Sequence, residues 1–443
     1  MNPLGQTISY FDTFEAREAA FNRYVAHLIP CKTAGPSRFW EEFRRIAEQG
    51  LNAPPDAGLA YIMANPRDGL VYGSAFQVLA AARMTAGLAS PGDPQAIAAL
   101  AGEYGLANQL AQPMRTLSGG ETVKLALART AAAATGSHTL VIASPFCWLS
   151  RWNAGLLDQA IDTFRRRGLP VHLLALRGED DTSQLNLVPG EGLVTGGPRF
   201  SLEFEGADIV LGMAVDAIHG PPAFAAIGDA RLALASPCLV SGDNGQGKTL
   251  LAKALCGAVT VRGRARVAGG AARLLFQNVI TQTLLRSPQT LRQAARESCG
   301  GEALDGVLTV LIDAFEFHGG EVARVTEPHS KDSLLVAKLH MVAARLCSRP
   351  ALLILDEPDW GLSRSEAVAF VLAVATAAHA HGVALMLVSH KPWWESLAAS
   401  RLMVAKTRCG GGAGVEAEGD RPRFTITLET DGAAAQVAGE GDR

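Results

Sequence analysis

The stretch Gly242-Asp243-Asn244-Gly245-Gln246-Gly247-Lys248-Thr249 constrains this chain more than any other. Apolar Pro237-Cys238-Leu239-Val240 runs into it and Leu250-Leu251-Ala252-Lys253-Ala254-Leu255 continues from it, so it joins a buried strand to a helix. Three glycines in eight residues let successive backbone N–H groups turn toward one point, backed by a helix N-terminus. The pattern G-x-x-x-x-G-K-T in this context is that of a phosphate-binding loop. Lys248 is placed to reach the β- and γ-phosphates of a nucleotide, and the Thr249 hydroxyl to ligate Mg2+.

The rest of the second half supplies what such a loop needs. Leu355-Asp356-Glu357-Pro358 ends an apolar run, Ala351–Leu355, that reads as a buried parallel strand. Asp356 is suited to hold Mg2+, and Glu357 to orient or deprotonate an attacking water. Arg273-Leu274-Leu275-Phe276-Gln277-Asn278 is a strand ending in a polar switch. Val383–Val388 is another strand, closed by Ser389-His390. Gln277 and His390 complete the surroundings of the terminal phosphate, with Gln277 also near the metal. The spacing is ordered: 108 residues separate Lys248 from Asp356, and 33 separate Glu357 from His390.

The first half repeats this order with a period of about 210 residues. Ala60–Pro66 parallels the Gln277 strand, Leu140–Ala143 the acidic strand, and Leu117-Ser118-Gly119-Gly120-Glu121 opens a helix over Val123–Ala132. Ser118 and the N–H groups of Gly119 and Gly120 at a helix N-terminus form a second anion site. Alternating strands and helices imply parallel α/β sheets. The glycine-rich breaks around Pro189-Gly190 and Gly196-Gly197-Pro198 put the boundary near residue 200. Expected domains are 1–199, 200–408 and a flexible tail, 409–443, with Phe424–Leu428 as a possible edge strand.

These residues, in this order, resemble the ATP-binding-cassette superfamily, over nearly the whole chain and twice. The resemblance implies an α/β fold of two tandem P-loop NTPase domains, each a mostly parallel sheet with flanking helices and a helical subdomain. It implies ATP and Mg2+ as ligands and ATP hydrolysis as the activity. Leu117–Glu121 looks like the family's signature sequence, which closes over the ATP held by the phosphate loop of the other domain. The ATP contacts so implied are Gly242 to Thr249, Leu250, Ser118, Gly119, Gly120 and Glu121.

Each half departs from the pattern where the other keeps it. On the repeat period, the first half offers Pro30-Cys31-Lys32-Thr33-Ala34-Gly35-Pro36-Ser37 at the phosphate-loop position. Two prolines there remove backbone donors, and Pro36 replaces the lysine. Ala64 stands for Gln277, Ala143-Ser144 for the acidic pair, and the histidine position falls near Arg177. In the second half the signature position reads Asp332-Ser333-Leu334-Leu335-Val336, without glycine. Paired head to tail, the domains are therefore expected to make one complete site and one decayed one. No Tyr, Phe or Trp occurs in Val210–His219, so either His219 meets the adenine or the base is held weakly. Ser363 replaces the usual aspartate of the inter-domain loop.

Composition narrows the client. Lys and Arg number 40 against 43 Asp and Glu, a net charge of −3, so no global attraction draws nucleic acid and none is expected as partner. The seven cysteines show no C-x-x-C pair and read as buried thiols of a reducing compartment. Met1–Gln6 shows no signal-peptide pattern, and no apolar run is long enough to span a bilayer. Phe276-Gln277-Asn278 with Gln282, and Asn65-Pro66-Arg67-Asp68, look like the Gln-loop region of the energy-coupling-factor branch. That likeness implies a cytoplasmic ATPase, peripheral on the membrane, energising vitamin or metal-ion uptake through multi-spanning subunits. The alternative is a soluble twin-cassette ATPase acting on ribosomes, nucleic acid or protein complexes; such relatives usually keep both sites and carry a charged helical linker.

Overall fold

A computed structural model describes residues 6–13, 15–17, 19–20, 59–62, 73–88, 90–112, 114, 117, 119–133, 139–143, 154–178, 181, 197–211, 223–243, 245–277, 279, 293, 296–297, 299–326, 333–409 and 423–430. The chain divides into two compact units, Met1–Asp180 and Asp181–Arg443. The first strand of the second sheet starts at Arg199, and the units divide between Asp180 and Asp181, ahead of the boundary expected near residue 200. The glycine-rich residues before it, 182–196, and the tail, 410–422 and 431–443, lie outside the described residues.

The first unit holds a four-stranded, all-parallel sheet in the order β1 (Gln6–Phe11), β4 (Val171–Leu176), β3 (Thr139–Ala143), β2 (Leu59–Ile62). Its helices among the described residues include α1 (Ala75–Thr85), α2 (Pro94–Glu103), α3 (Gly119–Ala133) and α4 (Ala154–Arg166). A capping box starts α1, with Ser74 and Gln77 satisfying each other's backbone N–H groups.

The second unit is built on a nine-stranded sheet. Five strands form one part, in order β8 (Val261–Val267), β5 (Arg199–Leu211), β6 (Ala223–Ala235), β13 (Arg423–Thr430) and β12 (Ser400–Cys409). The other four are parallel: β7 (Cys238–Ser241), β11 (Ala384–Val388), β10 (Leu352–Asp356) and β9 (Ala272–Leu275). Every residue of β10 and β11 is buried, which is why these segments read as unbroken apolar runs. The expected edge strand at Phe424–Leu428 is corrected: β13 pairs with β12 on one side and β6 on the other, inside the sheet. Helices α5 (Lys248–Leu255), α6 (Gly301–Phe317), α7 (Leu334–Cys347) and α8 (Arg364–Ala380) flank it, with a short turn of helix at Ala323–Thr326.

Strand pairing fixes how the halves correspond. Val240 lies beside Val388, and Val388 beside Asp356. Ser9 lies beside Leu174, and Leu174 beside Ala143, the residue in the place of Asp356. Strand β1 is therefore the counterpart of β7, and the residues directly after β1 occupy the phosphate-loop position. This corrects the assignment of Pro30–Ser37, residues that lie outside the described set. Counting onward, Phe11 replaces Gly242 and Arg17 replaces Lys248. The chain there makes no glycine turn. Thr13 Oγ1 accepts the Ala16 N–H at 3.0 Å and its carbonyl accepts the Arg17 N–H at 3.2 Å, so a Thr-capped helix comes directly after the strand. Arg17 is fully buried. The same register puts Leu176, next to Arg177, at the position of His390.

Candidate active site

Strands β7, β11, β10 and β9 are neighbours and parallel, so their carboxyl ends open on one edge of the sheet. In open α/β sheets that edge is where ligands bind. The loop Gly242–Gly247 leaves β7, Asp356 and Glu357 leave β10, Ser389 and His390 leave β11, and Gln277 lies two residues beyond β9.

The loop conformation demands its glycines. Gly242 has φ +145°, and a Cβ there would sit 2.3 Å from the Val404 carbonyl oxygen. Gly247 has φ +98° and leads straight into α5. Gln246 Oε1 accepts the Lys406 N–H at 2.6 Å, tying the loop to β12. Lys248 is buried, with Nζ donating to the carbonyls of Gly242 at 2.8 Å and Asp243 at 3.1 Å, so its ammonium is folded back across the loop. Leu250 packs on the core beneath. Asn244 lies outside the described residues.

The acidic pair lies against Thr249 and His390. Thr249 Oγ1 donates to Asp356 Oδ1 at 3.0 Å. Burial pushes the Asp356 carboxyl up to about 7, the charge of Glu357 adding to it and the Thr249 hydroxyl opposing it. Glu357 adopts φ +45°, a conformation that costs a non-glycine residue about 1–3 kcal/mol and is met at functional sites. Its N–H donates to Val388 O at 2.8 Å, which holds the bend. His390 Nδ1 lies 2.8 Å from Glu357 Oε1, and Ser389 Oγ donates to Glu357 Oε2 at 3.0 Å. Burial pushes the Glu357 carboxyl up, but His390, Lys248 and the Ser389 hydroxyl outweigh it and hold the group below its ordinary value. His390 Nε2 is buried and has no hydrogen-bond partner among the described residues.

Gln277 is half-buried, and among the described residues no hydrogen bond joins it to Asp356 or Glu357. In the first unit, Gly119 and Gly120 start α3, and Glu121 is buried and accepts a hydrogen bond from Gln109 Nε2 at 3.1 Å. Ser118 lies outside the described residues. In the second unit Ser333 precedes α7, and Leu334 and Leu335 are both buried. Ser363, in place of the usual aspartate, caps α8: its N–H donates to Glu366 Oε2 at 3.1 Å.

Sequence reasoning passed over three residues. Asp359 is buried, and its carboxyl is raised by burial first and by the Glu357 charge second, against Lys391 and His390. Lys338 is buried, with Nζ donating to the carbonyls of Pro358 and Trp360, each at 2.6 Å, and so fixes the turn after the acidic pair. A lone lysine in the apolar run Leu334–Val342 is the signal that could have found it. Arg17 had no such signal.

The sequence matches no known family model and no curated protein. Solved structures do share its fold. A chain in a structure of ribosome-bound archaeal Pelota and ABCE1 matches with TM-score 0.53 and 13% identity, over 95% of this chain and 74% of its own length. The fold is that of tandem ATP-binding-cassette domains. RNase-L inhibitor (TM-score 0.45, 14% identity, 95% of this chain and 85% of its own) and UvrA2 from Deinococcus radiodurans (0.47, 16%, 73% and 54%) are similar at lower scores. No helix among the described residues is long and apolar enough to cross a membrane.

Proposed function

We propose that this chain hydrolyses Mg-ATP at one competent site. The observation that carries the reading is the convergence of Lys248, Thr249, Asp356, Glu357 and His390 on one sheet edge of the second unit, against a Thr13-capped helix in the equivalent place of the first. The glycine loop receives the β- and γ-phosphates, and Lys248 Nζ exchanges its two carbonyls for phosphate oxygens. Thr249 and Asp356 offer a hydroxyl and a carboxylate, hard oxygen donors that fit Mg2+. When bound, the ion would neutralise charge on the phosphate oxygens. Glu357, held ionised, orients the attacking water and accepts its proton. His390 Nε2 supplies the polar atom that meets the terminal phosphate. By the sequence resemblance alone, Ser118, Gly119, Gly120 and Glu121 are the proposed signature residues, and Gln277 the proposed sensor of the nucleotide.

For the client we favour a soluble macromolecular assembly over a membrane importer. The solved chain that shares the fold over 95% of this one belongs to a ribosome-bound complex. That neighbour, from a ribosome-bound complex, speaks against the expectation of no nucleic-acid partner, which rested on net charge alone. The importer reading rests on the Gln277 loop and its likeness to the energy-coupling-factor branch.

Two experiments test the proposal. Wild-type chain should hydrolyse ATP and Glu357→Gln should bind it without turnover; equal hydrolysis by both would remove the catalytic assignment. Tagged protein isolated from its native cell, with and without mild detergent, should bring down a ribonucleoprotein or protein assembly. A stoichiometric multi-spanning membrane protein would establish the importer reading instead.

A further inference from the structure

We infer that Ser389 is the positioning residue of the Glu357 carboxylate, with buried Asp359 as the second wall of its cradle. The inference rests on the reading of Glu357 as the group that handles the attacking water. Ser389 is fixed at the end of β11, its N–H donating to Val240 O at 3.2 Å. Its Oγ accepts the Lys391 N–H at 3.1 Å, which commits one lone pair and turns the hydroxyl hydrogen the other way. Two carboxylate oxygens compete for that hydrogen. Glu357 Oε2 stands at 3.0 Å and Asp359 Oδ1 at 3.5 Å, so the shorter contact takes it. All three side chains are buried, and no bulk water intervenes to loosen the choice.

The two oxygens of Glu357 are thus held by different groups. Oε1 is bonded by the His390 ring, while Oε2 is bonded by Ser389 and, at 3.4 Å, by the His390 N–H. Were the histidine ring to leave Oε1, Oε2 would still be held. The carboxylate then cannot spin about its last bond, and Oε1 presents its lone pairs in a fixed direction. Asp359 Oδ1 stands 3.5 Å from the same hydroxyl. A carboxylate free to rotate would face water correctly only part of the time, which lowers turnover without altering nucleotide binding.

The test uses the full chain as wild type, Ser389→Ala, Ser389→Thr, Asp359→Asn and Glu357→Gln, each assayed over a range of Mg-ATP. Ser389→Ala is expected to lower kcat about 10- to 100-fold with KM for ATP unchanged. Ser389→Thr, which keeps the hydroxyl, should recover kcat to within about threefold of wild type. Asp359→Asn should lower kcat less than Ser389→Ala. Unchanged kcat in Ser389→Ala, a Ser389→Thr as slow as the alanine variant, or a loss confined to KM would each overturn the inference. An active wild type with inactive Glu357→Gln and unaffected Ser389→Ala removes this inference alone; an inactive wild type removes the hydrolase reading with it.

Discussion

Thr249 Oγ1 donates to Asp356 Oδ1 across 3.0 Å, joining the first turn of α5 to the end of β10. The pair brings two oxygen donors together from positions 107 residues apart. Thr249→Ala and Asp356→Asn should each shift the Mg2+ dependence of hydrolysis to concentrations at least about tenfold higher. A titration of ATPase rate against Mg2+ reads this, and unchanged curves would remove both residues from the metal site.

Gly242 is needed for its shape. Its φ of +145° and the Val404 carbonyl 2.3 Å from a built Cβ predict that Gly242→Ala destabilises the second unit by about 1–3 kcal/mol and abolishes nucleotide binding. Gly257 supplies the control. Its φ is +67°, but nothing lies within 4 Å of a built Cβ, so Gly257→Ala should cost no more than about 1–2 kcal/mol and leave nucleotide binding intact. Denaturant unfolding and equilibrium binding of the two variants separate the cases.

Lys338 ties α7 to the turn after the acidic pair through two carbonyls, at 2.6 Å each. Lys338→Met fills the space and removes the charge, leaving both carbonyls without this donor. A loss of about 2–3 kcal/mol is expected, with kcat reduced because Glu357 adjoins that turn. An unchanged denaturation midpoint would mean that the lysine is dispensable.

Tyr104 in the first unit carries a pH signature. Burial pushes its phenol up to about 12, against the nearby Arg167 charge. The folded state therefore holds this proton more tightly than the unfolded chain, whose tyrosine ionises near pH 10. Its contribution to stability is fully present below pH 10 and is lost as pH rises from there toward 12. Tyr104→Phe should flatten the alkaline fall in denaturation midpoint between pH 9.5 and about 11.5. Parallel curves for the two proteins would contradict the assignment.

Much of this site was legible in the sequence because its parts are local. The glycine loop, the Leu355-Asp356-Glu357 strand end and Ser389-His390 each carry their own pattern, and parallel pairing brings them together. The degenerate half was legible only in part. Ala143 was placed by a short strand of similar spacing, the loop position was not, and Ala64 lies outside the described residues. Ser9 to Ala143 spans 134 residues, whereas Val240 to Asp356 spans 116, so a constant repeat period overshoots β1 and lands on Pro30. Only strand register shows the difference. The meeting of Ser389 with Asp359 was hidden for another reason: the two follow adjacent strands and meet across the sheet, and no spacing along the chain encodes that.

The central claim is that one half holds the nucleotide and the other half cannot hold one in its own loop. Equilibrium binding of Mg-ATP to the Glu357→Gln chain tests it directly, alone and combined with Lys248→Ala. The account predicts one nucleotide per chain in the first protein and none in the second. Two nucleotides per chain, or one that survives Lys248→Ala, would contradict it.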